Sequence, residues 1–211
     1  MNDRAPHAAG PSGARARPAP YRGALPELLR WICTAYLRLS GWKIMGDWPI
    51  APKAVLVAAP HTSNWDGIYM LAAAAYFRIT LRWMGKASLT HGPFGWLMTA
   101  LGCVPVDRSA RNDLVAQMCE AFAAHDRMLL AVPPEGTRSL TPEWKSGFYH
   151  IAHQAGVPII LSILDYGTKT IRIDGTFTTT GDYERDLVAI QSHYRHAVGK
   201  HPHKFRAGAN A

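Results

Sequence analysis

The thirteen residues from Ala54 to Asp66 read AVLVAAPHTSNWD. Their first six are uniformly apolar, rich in valine, and bounded by Pro52 and Pro60. A run this short with no alternation fits a strand buried on both faces, the condition of a strand inside a parallel sheet. It leads directly into His61. The small polar residues Thr62, Ser63 and Asn64 that follow are helix N-cap types, and Ile68, Leu71, Ala72 and Ala75 continue at helical spacing. His61 is therefore predicted on a strand-to-helix turn.

Working outward, further strands are predicted over Leu81–Met84, Val104–Asp107, Met128–Val132, Ile159–Leu164 and Thr170–Ile173. Helical patterns lie between most of them. Asn112–Ala124 carries Leu114, Val115, Met118 and Phe122 on one face, and Phe148–Ala155 is stopped by Gly156 and Pro158. Alternation of this kind predicts a single α/β domain with a mostly parallel central sheet flanked by helices. Before it, Leu25, Leu28, Leu29, Ile32, Tyr36 and Leu39 recur at helical spacing, an N-terminal amphipathic helix. Two roles fit that helix: packing on the core, or lying at a membrane interface with Trp31, Trp42 and Trp48 near headgroups.

Residues 1–20 mix Ala, Gly, Pro and Arg and lack the apolar stretch of a signal peptide, which predicts a disordered basic tail. The remaining divisions are an amphipathic, interfacial segment over 21–50, a catalytic domain over 51–198 and a basic C-terminal tail over 199–211. The chain has 211 residues, 48% hydrophobic and 18% charged, enough for one substantial core and incompatible with disorder throughout. Its 23 Lys and Arg against 15 Asp and Glu give a formal charge of +8, which favours an anionic partner. Cys33, Cys103 and Cys119 are odd in number and form no CxxC, which argues against a disulfide framework or zinc site and for a reducing cytoplasm. No apolar run approaches the roughly 20 residues of a spanning helix.

The chemistry centres on His61 and Asp66. In a continuous helix, five residues would carry the two side chains roughly 140° apart, off a common face. A turn lets them meet. An imidazole with an ordinary pKa near about 6.5 can accept a proton at neutral pH, and a carboxylate on its other nitrogen fixes the tautomer and stabilises the imidazolium. No GxSxG or activated Cys supplies a nucleophile, so the attacking hydroxyl is expected to be the substrate's. Downstream, Pro134–Ser139 (PEGTRS) follows a predicted strand and gathers a Gly turn, a carboxylate, a hydroxyl and a guanidinium.

HTSNWD followed by PEGTRS resembles the glycerolipid acyltransferase superfamily, which includes the 1-acylglycerol-3-phosphate acyltransferases with their H-x4-D and F-P-E-G-T-R-S blocks. The resemblance extends to Trp83–Gly95 (WMGKASLTHGPFG), to Gly102–Arg108 (GCVPVDR), to Lys145, Ser146 and Gly147, and to Val157 and Pro158, in the family's order. This chain departs from the pattern at Pro133, where the family usually has an aromatic or aliphatic residue.

The resemblance implies that His61 is a general base on the acceptor hydroxyl, with Asp66 orienting it. The acyl donor would be a thioester co-substrate, acyl-CoA or acyl carrier protein, with no bound cofactor and no metal. Lys86, Arg108 and Arg138 are candidates to hold the acceptor's phosphate, since guanidinium binds phosphate in a bidentate fork and Lys acts as a point charge. Glu135 is a candidate to shape the pocket or bind substrate, Gly136 to supply an unusual backbone angle, and Thr137 to cap a turn or donate to substrate. Expected partners are membrane lipids, namely a lysophospholipid acceptor and an anionic bilayer surface. Location is expected to be cytoplasmic, peripheral on the inner face of the cell membrane. The histidines and basic residues between His193 and Arg206 fit a membrane-facing tail better than metal or nucleic acid. Two rival readings keep part of this pattern: a thioester or lipid hydrolase with water as acceptor, and a non-catalytic lipid-binding adaptor.

Overall fold

A computed structural model describes residues 23–106 and 114–208. The expected basic tail over 1–20, Arg108 and the first residues of the helix predicted from Asn112 lie outside the described residues. The strands are β1 (Lys43–Met45), β2 (Lys53–Ala59), β3 (Leu81–Lys86), β4 (Cys103–Val106), β5 (Met128–Val132), β6 (Ile159–Asp165) and β7 (Thr170–Phe177). They form one sheet in the order β1-β7-β6-β2-β5-β3-β4. Every pairing is parallel except β6 with β7. The chain is thus the single α/β unit with a mostly parallel sheet that the alternation predicts, with one short strand, β1, added at an edge.

The helices are α1 (Ala24–Leu39), α2 (Trp65–Phe77), α3 (Ser88–His91), α4 (Gly95–Ala100), α5 (Leu114–Ala124), α6 (Gly147–Gln154) and α7 (Tyr183–Ser192). Strand β2 is central, and its residues are sent alternately to two cores. Ala54 and Leu56 meet Ala74 and Ile79 around α2, with Leu129 and Ala131 of β5 on the same side. Val55 and Val57 meet Met118 and Phe122 of α5, Phe148 and Ile151 of α6, and Ile190 of α7. This is why AVLVAA shows no alternation: both faces are dry. The small residues Ala72, Ala73, Ala74 and Ala75 are all buried, so α2 lies close to its neighbours.

Two connections leave this centre in opposite directions. From β2 the chain passes over β5 to β3, and from β5 it passes over β2 to β6. The carboxyl ends of β2 and β5 therefore flank a topological switch point, where open α/β sheets leave a crevice for ligands.

Helix α1 does not bury the stripe that its spacing marks out. Thr34 and Leu37 face inward, whereas Leu25, Leu28, Leu29, Trp31, Ile32 and Leu39 are all more than half exposed. Of the tryptophans expected near headgroups, Trp42 is instead buried, its ring against Tyr69 and Tyr166, and Trp48 packs on Phe77. Residues 199–208, read from composition as a tail, fold back on the domain: Phe205 and Ala207 join the core beside Trp144, whose indole N–H donates to the Arg206 carbonyl. No helix among the described residues is long and apolar enough to cross a membrane.

Candidate active site

Strand β2 ends at Ala59, Pro60 breaks the ladder, and His61 opens the turn into α2. Asp66 lies in the first turn of that helix, where the backbone dipole favours a negative charge. Its side chain reaches back along the turn, in the manner of a capping box. Asp66 Oδ2 accepts from the backbone N–H of Thr62 and of Ser63, both at 2.7 Å. The same oxygen lies 3.4 Å from His61 Nδ1. That is long for a hydrogen bond and short enough for strong attraction to an imidazolium. Burial pushes the Asp66 carboxyl up, but contacts with His61, Tyr166, Ser63 and Thr62 outweigh it and hold the group below the ordinary value. Asp66 is thus an anion at neutral pH, 4% exposed, facing a histidine whose side chain is 28% exposed.

Glu135 comes to the same place from the end of β5, which pairs with β2. Its Oε1 accepts from the His61 backbone N–H at 2.9 Å. Its Oε2 is buried and has no hydrogen-bond partner among the described residues. Burial, opposed by hydrogen bonds from its own backbone N–H and that of His61, raises its carboxyl to about 7. The folded chain holds this proton more tightly than the unfolded chain, so Glu135 makes stability fall as pH rises from 4.5 towards about 7. At about 1.4 kcal/mol per pH unit, the loss is about 3 kcal/mol. Glu135→Gln, which keeps an acceptor for the His61 N–H, should remove that slope. Urea unfolding at pH 5 and pH 8 reads it, and an unchanged slope in the variant would refute the assignment.

The other expected site residues are distributed along the same carboxyl edge. Gly136 has φ +65°, a left-handed conformation, and a Cβ there would sit 3.2 Å from Lys145 Cγ, which accounts for glycine. Thr137 and Arg138 are exposed, and Thr137 Oγ1 accepts from the Ser139 N–H at 3.2 Å, so its role in the structure is to fold the turn. Lys86, the last residue of β3, is also exposed. Among the described residues, none of these three is hydrogen-bonded to His61 or Asp66. The structure joins His61, Asp66 and Glu135 directly, leaves Lys86, Thr137 and Arg138 on the rim, and does not describe Arg108.

Two groups escaped the sequence reading. Tyr166, just past β6, donates its hydroxyl to Asp66 Oδ1 at 2.7 Å. Residues 199–201 close over the turn: the His201 N–H donates to Thr62 Oγ1, and Lys200 lies 4.7 Å over the Trp65 ring. Gly199 is pressed so closely on Thr62 that an added Cβ would lie 2.7 Å from its methyl. Only the strand order could have found Tyr166, because β6 lies beside β2 and so ends next to His61.

A buried carboxylate behind a part-exposed imidazole at the switch point of a parallel sheet defines a candidate proton-transfer site. Residues 44–162 match the family model described as Acyltransferase, and the chain belongs to that family. Similar proteins include two described as probable 1-acyl-sn-glycerol-3-phosphate acyltransferases. That of Mycoplasma pneumoniae is 30% identical over 137 residues, 61% of this chain and 52% of the relative. That of Mycoplasma genitalium is 30% identical over 141 residues, 61% of this chain and 51% of the relative. The chain spans about half the length of these relatives. In fold it is similar to the crystal structure of PlsC, the 1-acyl-sn-glycerophosphate (LPA) acyltransferase of Thermotoga maritima. The TM-score is 0.57 at 17% identity, covering 80% of this chain and 76% of that one.

Proposed function

We propose that this protein transfers a fatty acyl group from an acyl thioester to the hydroxyl of a lysophospholipid such as 1-acylglycerol-3-phosphate. The observation that carries the reading is the His61–Asp66 pair. With Nδ1 turned to a buried anion, His61 offers Nε2 to the acceptor. That nitrogen takes the hydroxyl proton as the oxygen attacks the thioester carbonyl. Collapse of the tetrahedral adduct forms the ester and expels the thiolate, which takes the proton back from the imidazolium as free thiol. Asp66 stabilises the imidazolium in between.

The surroundings support the substrate class. Lys86, Arg108 and Arg138 are the cationic candidates for the acceptor phosphate. Leu89, Phe94 and Trp96, exposed just beyond Lys86, suit an acyl chain or a lipid surface. The outward apolar face of α1, carrying Trp31 with Arg30 and Arg38 beside it, suits peripheral contact with an anionic bilayer on the cytoplasmic side. Acyl-CoA and acyl carrier protein thioesters are both compatible donors.

The test supplies radiolabelled acyl-CoA or acyl carrier protein thioester and 1-acylglycerol-3-phosphate in anionic vesicles. The expected result is labelled diacyl product, dependent on the acceptor. Free fatty acid at the same rate without acceptor would make the protein a hydrolase, and neither product would make it a lipid-binding adaptor.

A further inference from the structure

We propose that Tyr166 is a positioning residue for the His61–Asp66 pair: its hydroxyl fixes the rotation of the Asp66 carboxylate so that Oδ2 faces His61 Nδ1. The proposal rests on acyl transfer by that pair and adds a residue from a distant part of the chain.

A carboxylate on a helix turns about its last torsion with little hindrance. At Asp66 the two oxygens are not equivalent. Oδ2 accepts from Thr62 and Ser63 N–H and faces His61, whereas Oδ1 accepts only from Tyr166 among the described residues. At 3.4 Å the His61 contact with Oδ2 is looser than the 2.7 Å bonds from Thr62, Ser63 and Tyr166, so it constrains the rotation of the carboxylate least. Removing the phenol hydroxyl would leave Oδ1 buried without a donor, and the carboxylate would then rotate to share the N–H groups of the turn between both oxygens.

The phenol is itself held from three sides. Its ring meets Trp42 edge-on at 4.9 Å and Tyr69 at 5.9 Å. Its backbone N–H donates to the Val198 carbonyl at 2.8 Å, and the Val198 N–H returns to Asp165 Oδ1 at 3.0 Å. Asp165 also accepts from Gly167 N–H and Thr168 Oγ1, which closes the turn that carries Tyr166. A side chain anchored by backbone and by edge-to-face ring contacts is what orienting another group requires. The hydroxyl also stays a donor at working pH, since burial and the Asp66 carboxylate both push its ionisation far above the ordinary value for tyrosine. Among the described residues, the charged and titratable groups that face Asp66 are His61 from the β2–α2 turn, Glu135 from the end of β5 and Tyr166 from the β6–β7 turn.

Two full-length variants test this. Tyr166→Phe keeps the ring and its edge-to-face contacts and deletes the donor, while 3-fluorotyrosine incorporated at position 166 keeps the donor and makes it more acidic. Two readouts apply to each: kcat and KM for acyl transfer, and the 15N spectrum of the His61 imidazole at pH 8, assigned with His61→Ala. The expected outcome for Tyr166→Phe is a kcat lower by about tenfold with KM within twofold, and a ring that no longer holds its proton on Nδ1 alone. The fluorotyrosine protein should keep the wild-type tautomer and at least half the wild-type kcat. Equal losses in both variants would overturn the proposal, because keeping the donor would then make no difference, and so would a Tyr166→Phe protein with wild-type kcat and tautomer. If the wild type transfers no acyl group, the tautomer still reads the positioning, so failure of the functional reading and failure of this inference are told apart.

Discussion

His61→Ala should lower kcat for acyl transfer by about a thousandfold, within the range contributed by a positioned general base. The fold should survive, because the part of His61 that supports structure is its backbone. The N–H that donates to Glu135 Oε1 remains in alanine, and the lost imidazole is part-exposed, its one ion-pair contact among the described residues being with Asp66. KM for the thioester should change little, since in the proposed reaction the side chain acts on the acceptor's proton and not on donor binding. The measurement is initial rate against both substrates, with thermal unfolding as a control. Activity within tenfold of wild type in a folded variant would remove His61 from the reaction.

Asp66→Asn should cost about a hundredfold in kcat, and the structure specifies what kind of loss this is. Thr62 and Ser63 present two N–H donors to Oδ2, so the asparagine carbonyl must occupy that position and its amide must face the Tyr166 hydroxyl, which can accept from it. The Nδ1–H of His61 keeps an acceptor in front of it. The tautomer is therefore retained and the negative charge that stabilises the imidazolium is lost, so the effect isolates the electrostatic share of the pair's action. The pH dependence of stability should change as well. Asp66 is held below its ordinary value in the folded state, so wild-type stability contributed by this group falls as the pH drops into the carboxylate range. The asparagine variant should not show that acid-side loss in denaturant titrations between pH 3 and pH 6. A kcat within threefold of wild type would show that the carboxylate charge is not used.

Much of this site could be read from residue order, and the limits of that reading have physical causes. The strand β2, the turn at His61 and the helix carrying Asp66 are all local, set by a double-sided apolar run, a proline and N-cap residue types. PEGTRS was legible as a turn after a strand for the same reason. That Glu135 would grip the His61 backbone was not, since it depends on β2 and β5 being neighbours although 74 residues separate the two residues. Tyr166 was hidden by the same non-locality. The α1 stripe left its role open for a different reason. Its period was read correctly, but periodicity reveals only that a helix has an apolar face and not what covers it; the inward side is built around Thr34 and Leu37. The basic residues after His193 suggested a tail, and composition concealed Tyr194, Phe205 and Ala207, which anchor the segment to the core. Tyr194 alone, fully buried, donates its hydroxyl to the Val57 carbonyl of β2.

The contact between His201 and Thr62 joins residues 139 positions apart. During synthesis, the HTSNWD turn leaves the ribosome long before the segment that presses Gly199 and Lys200 against it, and before Val198, which anchors the Tyr166 turn. A chain stalled before residue 198 would therefore lack the contacts of Gly199, Lys200 and His201 with the His61 turn and the Val198 anchor of the Tyr166 turn.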